Sequence, residues 1–252
     1  MRIRILTVGF LILVFGGNLF AAVPDKLVAP RSPGNLKIDG DPADWQIKFF
    51  ADEQKLFLSK DNGFINVGDI SNDKDFSATT YVMYDDKMLY ILAIVKDDII
   101  DKGNPPNTNW KNDCIELWFD GADDVGAFPG QPDNLQLNVD VNGEPWIYRD
   151  VNLNAKLVPK TEGAAEKTAD GYIIEVAVPL AEVPDTKIVD GGQIGFSISF
   201  VDSDNAVWNH LLWLGNNEVN INEWGKLIFS GETLAVEPLN KLATVWGSLK
   251  IR

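Results

Sequence analysis

From about Leu36 onward the chain alternates apolar and polar residues in short runs, each closed by Gly, Pro, Asn or Asp. A period of two puts successive side chains on opposite faces of an extended backbone, so the pattern predicts strands. The long runs are Ser77 to Tyr84, Met88 to Val95, Asp113 to Asp120, Leu135 to Val141, Tyr172 to Val178 and Ile194 to Val201. Shorter ones fall near Leu36 to Ile38, Pro145 to Arg149, Leu211 to Leu214 and Lys226 to Phe229. Asp85-Asp86 supplies a hairpin turn between the first two long runs. No convincing amphipathic helix of four turns interrupts them, which argues against βαβ units. The reading is an all-β fold of about ten strands: two antiparallel sheets packed as a jelly-roll or immunoglobulin-like β-sandwich.

Parity within the runs separates a core face from an outer face. Ile115, Leu117 and Phe119 share one side, while Glu116, Trp118 and Asp120 share the other. In the next run Leu135, Leu137, Val139 and Val141 oppose Gln136, Asn138 and Asp140. If these strands are neighbours, their outer faces form a patch of carboxylate and amide groups with an indole, which suits sugar hydroxyls. The same alternation also describes an ordinary solvated sheet face.

Composition narrows the partners. The 252 residues are 45% hydrophobic and 10% aromatic, enough to bury a sizeable core. The 22 basic against 37 acidic residues give a net charge of −15, which repels nucleic acid and anionic lipid and tolerates neutral ligands and divalent cations. Residues 1–22 read as a signal peptide: Arg2 and Arg4 precede an apolar run from Ile5 to Phe15, and Ala21-Ala22 follow. That run is shorter than the roughly 20 residues a membrane span needs, so the mature form is expected secreted or periplasmic, with no span. Residues 23–33 read as a linker, 34–230 as the sandwich and 231–252 as a C-terminal extension, where Trp246-Gly247-Ser248-Leu249 echoes Trp224-Gly225-Lys226-Leu227. Cys114 is the single cysteine, so no internal disulfide forms, and its place on a strand makes it structural.

Several segments, in this order and spacing, resemble the family 9 carbohydrate-binding modules. They are Ile38-Asp39-Gly40-Asp41-Pro42-Ala43-Asp44-Trp45, Leu89-Tyr90-Ile91 through Val95-Lys96-Asp97-Asp98, and the block Trp110-Lys111-Asn112-Asp113-Cys114-Ile115-Glu116-Leu117-Trp118-Phe119-Asp120. Gly171-Tyr172-Ile173-Ile174-Glu175, Ile194-Gly195-Phe196 and Trp224-Gly225-Lys226-Leu227 continue the match to about residue 230. The resemblance implies a jelly-roll-like sandwich that binds an oligosaccharide or polysaccharide without cleaving it, in the context of polysaccharide breakdown or uptake. It assigns Trp110 as an aromatic platform, Glu116 and Gln136 as hydroxyl partners, and Asn138 as a further contact where some members place an arginine. A second, sandwiching tryptophan has no clear match: Gly215 to Asn222 occupies that region and lacks an aromatic residue; as platforms besides Trp110, Trp146, Trp208 and Trp213 are also candidates, Trp213 reading as core. The resemblance also implies structural calcium, for which Asp97, Asp98 and Asp113 are the candidate ligands, with Asp101, Asp202 and Asp204 at neighbouring strand ends; no organic cofactor is expected.

The chemistry is consistent. An indole covers the C–H face of a pyranose while amides and carboxylates bond its hydroxyls, each bond netting about 0.5–1.5 kcal/mol. One platform and a few bonds imply a Kd of about tens of micromolar to millimolar. The Pro105-Pro106-Asn107-Thr108-Asn109 loop either exposes Trp110 at a rim or folds it over the core. Three other readings remain. A glycosidase needs two facing carboxylates, and Glu116 and Glu175 are one such pair. A haem-binding, electron-transfer relative needs axial ligands, for which Met83, Met88 and His210 are available, although the neighbours of His210 favour a structural role. A structural or adhesive module would bury Trp110 and bind a protein partner.

Overall fold

The computed structural model describes residues 23–34, 36–126, 128, 131–149, 156–157 and 160–236. The expected signal peptide and the repeat-like Trp246 segment lie outside the described residues. Fourteen strands are present among those described. They are β1 (Lys26–Arg31), β2 (Lys55–Ser59), β3 (Phe64–Val67), β4 (Phe76–Tyr84), β5 (Met88–Asp97), β6 (Cys114–Asp120) and β7 (Asn134–Asp140). The remainder are β8 (Pro145–Arg149), β9 (Lys156–Leu157), β10 (Glu162–Lys167), β11 (Gly171–Pro179), β12 (Gln193–Asp204), β13 (Val207–Leu212) and β14 (Gly225–Thr233).

Two layers form. The first runs β10-β11-β5-β4, with β2 on the far edge of β4; the second runs β14-β12-β6-β7-β8-β9, with β13 on β12 and β3 on β13. The predicted hairpin joins β4 to β5, and Asp85 closes it by accepting the Lys87 and Met88 N–H groups at 2.7 and 2.8 Å. Between the layers pack the inward residues of each strand, among them Ile91, Ala93 and Val95 from β5, Ile115, Leu117 and Phe119 from β6, and Ile198 and Phe200 from β12.

The N-terminal strand corrects the expected linker at 23–33. β1 pairs in parallel with β14, from Lys26 opposite Lys226 to Ala29 opposite Phe229, then shifts register and meets Tyr84 of β4 through Arg31. It therefore closes the corner between the layers, with Leu27 and Ala29 fully buried. Two inward residues beside Pro30 and Pro33 are too short a pattern to read as a strand from sequence. At the other end β14 runs to Thr233 and Leu234 is buried, so the extension assigned from 231 begins inside the fold.

The outer face of the first layer carries a second apolar cluster of Trp45, Phe50, Met83, Leu92, Ile173 and Leu234. The predicted strand at Leu36 to Ile38 is instead irregular chain that leads into this cluster. Its anchor is Glu175 on β11. Glu175 accepts from Trp45 Nε1 at 2.6 Å, from the Gly40 amide at 2.6 Å and from the Asp39 amide at 2.8 Å. Burial pushes the Glu175 carboxyl above its ordinary range, against the pull of those donors. Gly40 turns the chain at φ +84, and a Cβ there would lie 2.9 Å from the Glu166 Cβ. Trp45→Ala removes the largest side chain of this cluster and one of the three donors to Glu175. It is expected to cost about 3–5 kcal/mol, read from urea denaturation; a loss below about 1 kcal/mol would show that the cover is not part of the cooperative fold.

Candidate functional site

The outer face of the second layer carries a polar network. Register places Glu116 opposite Asn138, Trp118 opposite Gln136 and Ser199 opposite Glu116. These residues point away from the core because their neighbours on each strand point in. One Glu116 oxygen accepts from Asn138 Nδ2 at 2.9 Å and Gln136 Nε2 at 3.3 Å; the other accepts from Ser199 Oγ at 2.9 Å and lies 3.0 Å from His210 Nε2. Burial works to raise the Glu116 pKa, but the His210 charge and the His210, Ser199 and Asn138 hydrogen bonds outweigh it and hold the carboxyl below its ordinary range. An ionised carboxylate only accepts, so the Glu116-facing Nε2 of His210 carries a hydrogen.

Above this floor lies a cleft of about 340 Å³ lined by Trp110, Glu116, Trp118, Gln136, Trp208, His210 and Glu218. Trp110 rises from the short 3-10 segment Pro106–Lys111 and is half-buried at the rim. Its ring centroid stands 6.0 Å from that of Trp208 at an interplanar angle of 76°, and Trp208 stacks on His210 at 5.4 Å and 23°. The second aromatic wall is thus Trp208 on β13. The Gly215 to Asn222 segment contributes Glu218 instead, whose carboxylate accepts from Asn66 Nδ2 at 2.9 Å.

Three buried atoms of the wall have no hydrogen-bond partner: Gln136 Oε1, Trp208 Nε1 and His210 Nδ1. Trp118, expected only as an outward indole, is buried against Ile221 and Trp224, and its Nε1 donates to Ser199 Oγ at 3.0 Å. Asn138 corrects the expected contact: it is fully buried beneath Glu116, bonded to Glu116 and Gln136, and orients them without lining the cleft. Trp213 is core as expected, its Nε1 donating to the Pro24 carbonyl at 2.8 Å.

The inner faces of three strands run out into carboxylates at one mouth of the sandwich. Asp97 follows Val95, Asp113 precedes Ile115, and Asp202 follows Phe200, each at the inward parity. One oxygen from each lies within 4.8 Å of the others, and all three side chains are buried. Asp98 corrects the expected set of Asp97, Asp98 and Asp113: it points outward and groups with Asp75 and Asp204. β5 ends at Asp97, and Asp98 lies exposed on the bend beyond it. Asp113 accepts the Ser203 and Asp101 amides, both at 2.6 Å, while Asp97 Oδ2 and Asp202 Oδ1 are buried without partners. The Tyr172 hydroxyl is also buried and unpartnered, and its pKa is raised by burial and then by Asp113, Asp97 and Asp202. Hard oxygen donors gathered this way fit a divalent cation such as calcium. A further group, Asp120, Asp124 and Asp133, involves the β6–β7 connection.

The competing constellations do not assemble. Glu116 and Glu175 occupy opposite outer faces of the sandwich, so they cannot flank one substrate. Met83 belongs to the Trp45 cluster on the first layer and His210 to the cleft on the second.

Packed antiparallel layers with a tryptophan-walled, carboxylate-floored cleft on one outer face define a ligand-binding β-sandwich. Over residues 59–231 the chain matches the family described as Carbohydrate family 9 binding domain-like, and it belongs to that family. It is 28% identical over 167 residues to Exoglucanase XynX of Acetivibrio thermocellus, covering 64% of this chain and 14% of that protein. It is 27% identical over 134 residues to Endo-1,4-beta-xylanase A of Thermotoga maritima, covering 53% of this chain and 12% of that protein. The chain therefore spans a small part of the curated relatives it matches. Structures of a family 9 carbohydrate binding module from Caldicellulosiruptor kristjanssonii share the fold. Its cellotriose complex superposes with a TM-score of 0.60 at 22% identity, covering 85% of this chain and 99% of that one; its glucose complex gives 0.59 at 21%, covering 84% and 100%.

The inner carboxylates set a pH dependence. Burial first, and neighbouring aspartates, push Asp97 up to about 7, Asp202 to about 8 and Asp113 to about 9. A carboxyl whose folded pKa lies above its unfolded value stabilises the fold while protonated and loses that contribution as pH rises through the folded pKa. In chelator the thermal midpoint is expected to fall as pH rises from the ordinary carboxylate range near 3.8 and to level off as Asp97, Asp202 and Asp113 titrate at about 7, 8 and 9, checked by calorimetry. A midpoint that is flat or rising before that levelling contradicts the buried carboxylate cluster.

Proposed function

We propose that this chain is an exported, non-catalytic module that binds a neutral oligosaccharide in the Trp110–Trp208 cleft. The observation that carries the reading is two half-buried indoles 6.0 Å apart over a buried carboxylate. Indole faces cover the C–H face of a sugar ring, and the Glu116, Gln136 and Glu218 side chains meet its hydroxyls. Among the described side chains the lining carries two carboxylates, Glu116 and Glu218, which disfavour acidic sugars. Glu116 is unsuited to act as a general acid, because a carboxyl held below its ordinary range carries no proton near neutrality. Support for the ligand class comes from the relatives: their names describe exoglucanase and endo-1,4-beta-xylanase, and the structural neighbours hold cellotriose or glucose. Short β-1,4-linked gluco- and xylo-oligosaccharides are accordingly the first ligands to try, in the setting of polysaccharide breakdown or uptake.

Calcium has a structural role in this reading. Asp97, Asp113 and Asp202 hold it, with Asp75, Asp98 and Asp204 as a second group at the same rim. When bound it neutralises carboxylates contributed by both layers and ties the layers together. Export follows the leader-like residues 1–22; among the described residues no helix is long and apolar enough to cross a membrane.

Calorimetric titration with cello- and xylo-oligosaccharides tests the site. Trp110→Ala and Trp208→Ala are each expected to weaken binding at least about tenfold, about 1.4 kcal/mol, with the far-UV circular dichroism unchanged. Absence of binding across a broad panel of neutral oligosaccharides by folded, calcium-loaded protein would sink the assignment.

A further inference from the structure

Asn209 stands between two residues of the cleft and bonds a carboxylate of the rim. Its neighbours Trp208 and His210 line the cleft on the outer face, whereas Asn209 takes the inward parity. There its Nδ2 donates to Asp202 Oδ2 at 3.1 Å, and its Oδ1 accepts the Asp69 amide at 3.0 Å. The residue is clamped. Gly68 turns at φ +75 against it, and a Cβ at that position would lie 2.1 Å from Asn209 Oδ1. Asn209 is also paired across the ladder with Asp202, and Trp208 with Ser203.

The opposite wall is tied to the same cluster. Asp113 lies three residues beyond Trp110, and its carboxylate accepts the Asp101 amide on one side and the Ser203 amide on the other, both at 2.6 Å. Thus one carboxylate group fixes the base of the Trp110 segment, and the Asp202–Asn209 pair fixes the strand that carries Trp208. A cation changes what this cluster does mechanically. Three carboxylates whose oxygens lie within 4.8 Å repel when ionised, and a shared ion draws them together. Asp202 uses one oxygen for Asn209 and leaves the other without a partner, so it can hold ion and amide at once. The unpartnered Tyr172 hydroxyl beside the same carboxylates is a second sign that the group is built around a missing polar partner.

We propose that Asn209 is a positioning residue that couples cation occupancy at the Asp97–Asp113–Asp202 rim to ligand affinity in the Trp110–Trp208 cleft. The inference rests on the sugar-binding reading of that cleft. It is thermodynamic in form: the ion binds more tightly to the arrangement in which the walls are set for ligand, so each partner raises the other's affinity by one factor.

The test is a cycle of four titrations: parent and Asn209→Ala, each with calcium and with chelator, using cellotriose as probe. In the parent, chelation is expected to weaken cellotriose binding at least about tenfold while circular dichroism stays native, and saturating cellotriose should tighten calcium by the same factor. Asn209→Ala should still bind calcium, seen as a calcium-dependent thermal shift, yet give a calcium-to-chelator ratio of cellotriose Kd values at least about threefold smaller than the parent's, the remainder passing through Asp113. That loss of coupling is not what a merely structural role would produce. A parent that binds cellotriose equally in calcium and in chelator overturns the proposal and leaves the cleft assignment standing. Should the parent bind neither cellotriose nor any other neutral oligosaccharide of the panel, the cleft reading fails, and the coupling is read from the Trp208 indole N–H resonance alone. Calcium is then expected to move that resonance in the parent and not in Asn209→Ala; an unmoved parent resonance overturns the coupling as well. The parent comparison stands whether or not the variant folds.

Discussion

A strand has two faces, and a sandwich buries only one of them in its core; nearly everything in this molecule follows from how the other face is spent. β6 shows it within seven residues. Ile115, Leu117 and Phe119 fill the space between the layers, while Glu116 and Trp118 are committed to the cleft side and Cys114, at the same parity, is buried. Because the alternation is strict, nothing on this strand can be moved by one position without exchanging core for ligand site. The apolar cover that would otherwise protect an outer face is split: the first layer is roofed by the Trp45 cluster, and the second is left open around Glu116.

Leaving a carboxylate on that open face at 5% exposure demands compensation. It comes from four donors on three neighbouring strands, and each of them holds a place in the sheet for its own reason. Asn138 and Gln136 are fixed by the β6–β7 register, Ser199 by β12 and His210 by β13. The stack of His210 under Trp208 then passes this order to the aromatic wall. Geometry of the floor and geometry of the wall are therefore one property, and a rigid floor lowers the entropy a ligand must remove on binding.

Much of this could be read from residues. The long alternating runs became β4, β5, β6, β7, β11 and β12, and the split of β6 and β7 into core and outer faces was visible in the parity of their residues. The strands that escaped notice are short or carry little pattern. β10 reads Glu-Gly-Ala-Ala-Glu-Lys and lies on an edge, and β1 offers only Leu27 and Ala29 to the core. At the site, Trp110, Glu116 and Gln136 were legible because they sit in one recognisable block and its neighbouring strand. Trp208 was not singled out, since nothing in the sequence says that β13 folds back beside β12 and brings position 208 against position 110. A signal was present: Trp208 and His210 alternate with Leu211 on the far parity, which marks a strand with an aromatic outer face. The carboxylate rim was half legible for a related reason. Sequence adjacency suggested Asp97 with Asp98, whereas strand parity selects Asp97 with Asp113 and Asp202.

The parallel pairing of β1 with β14 also has a mechanical meaning. The chain enters the fold through Lys26 beside Lys226 and leaves it through Thr233 beside Arg31, so the two bordering strands lie flank to flank and point the same way. A pull between the flanking segments runs along both strands and loads their ladder bonds together in shear, instead of opening them one at a time. A domain joined in series to other bodies through these two strands meets tension with its most resistant geometry, and the corner that seals the two layers is also the seam that bears the load.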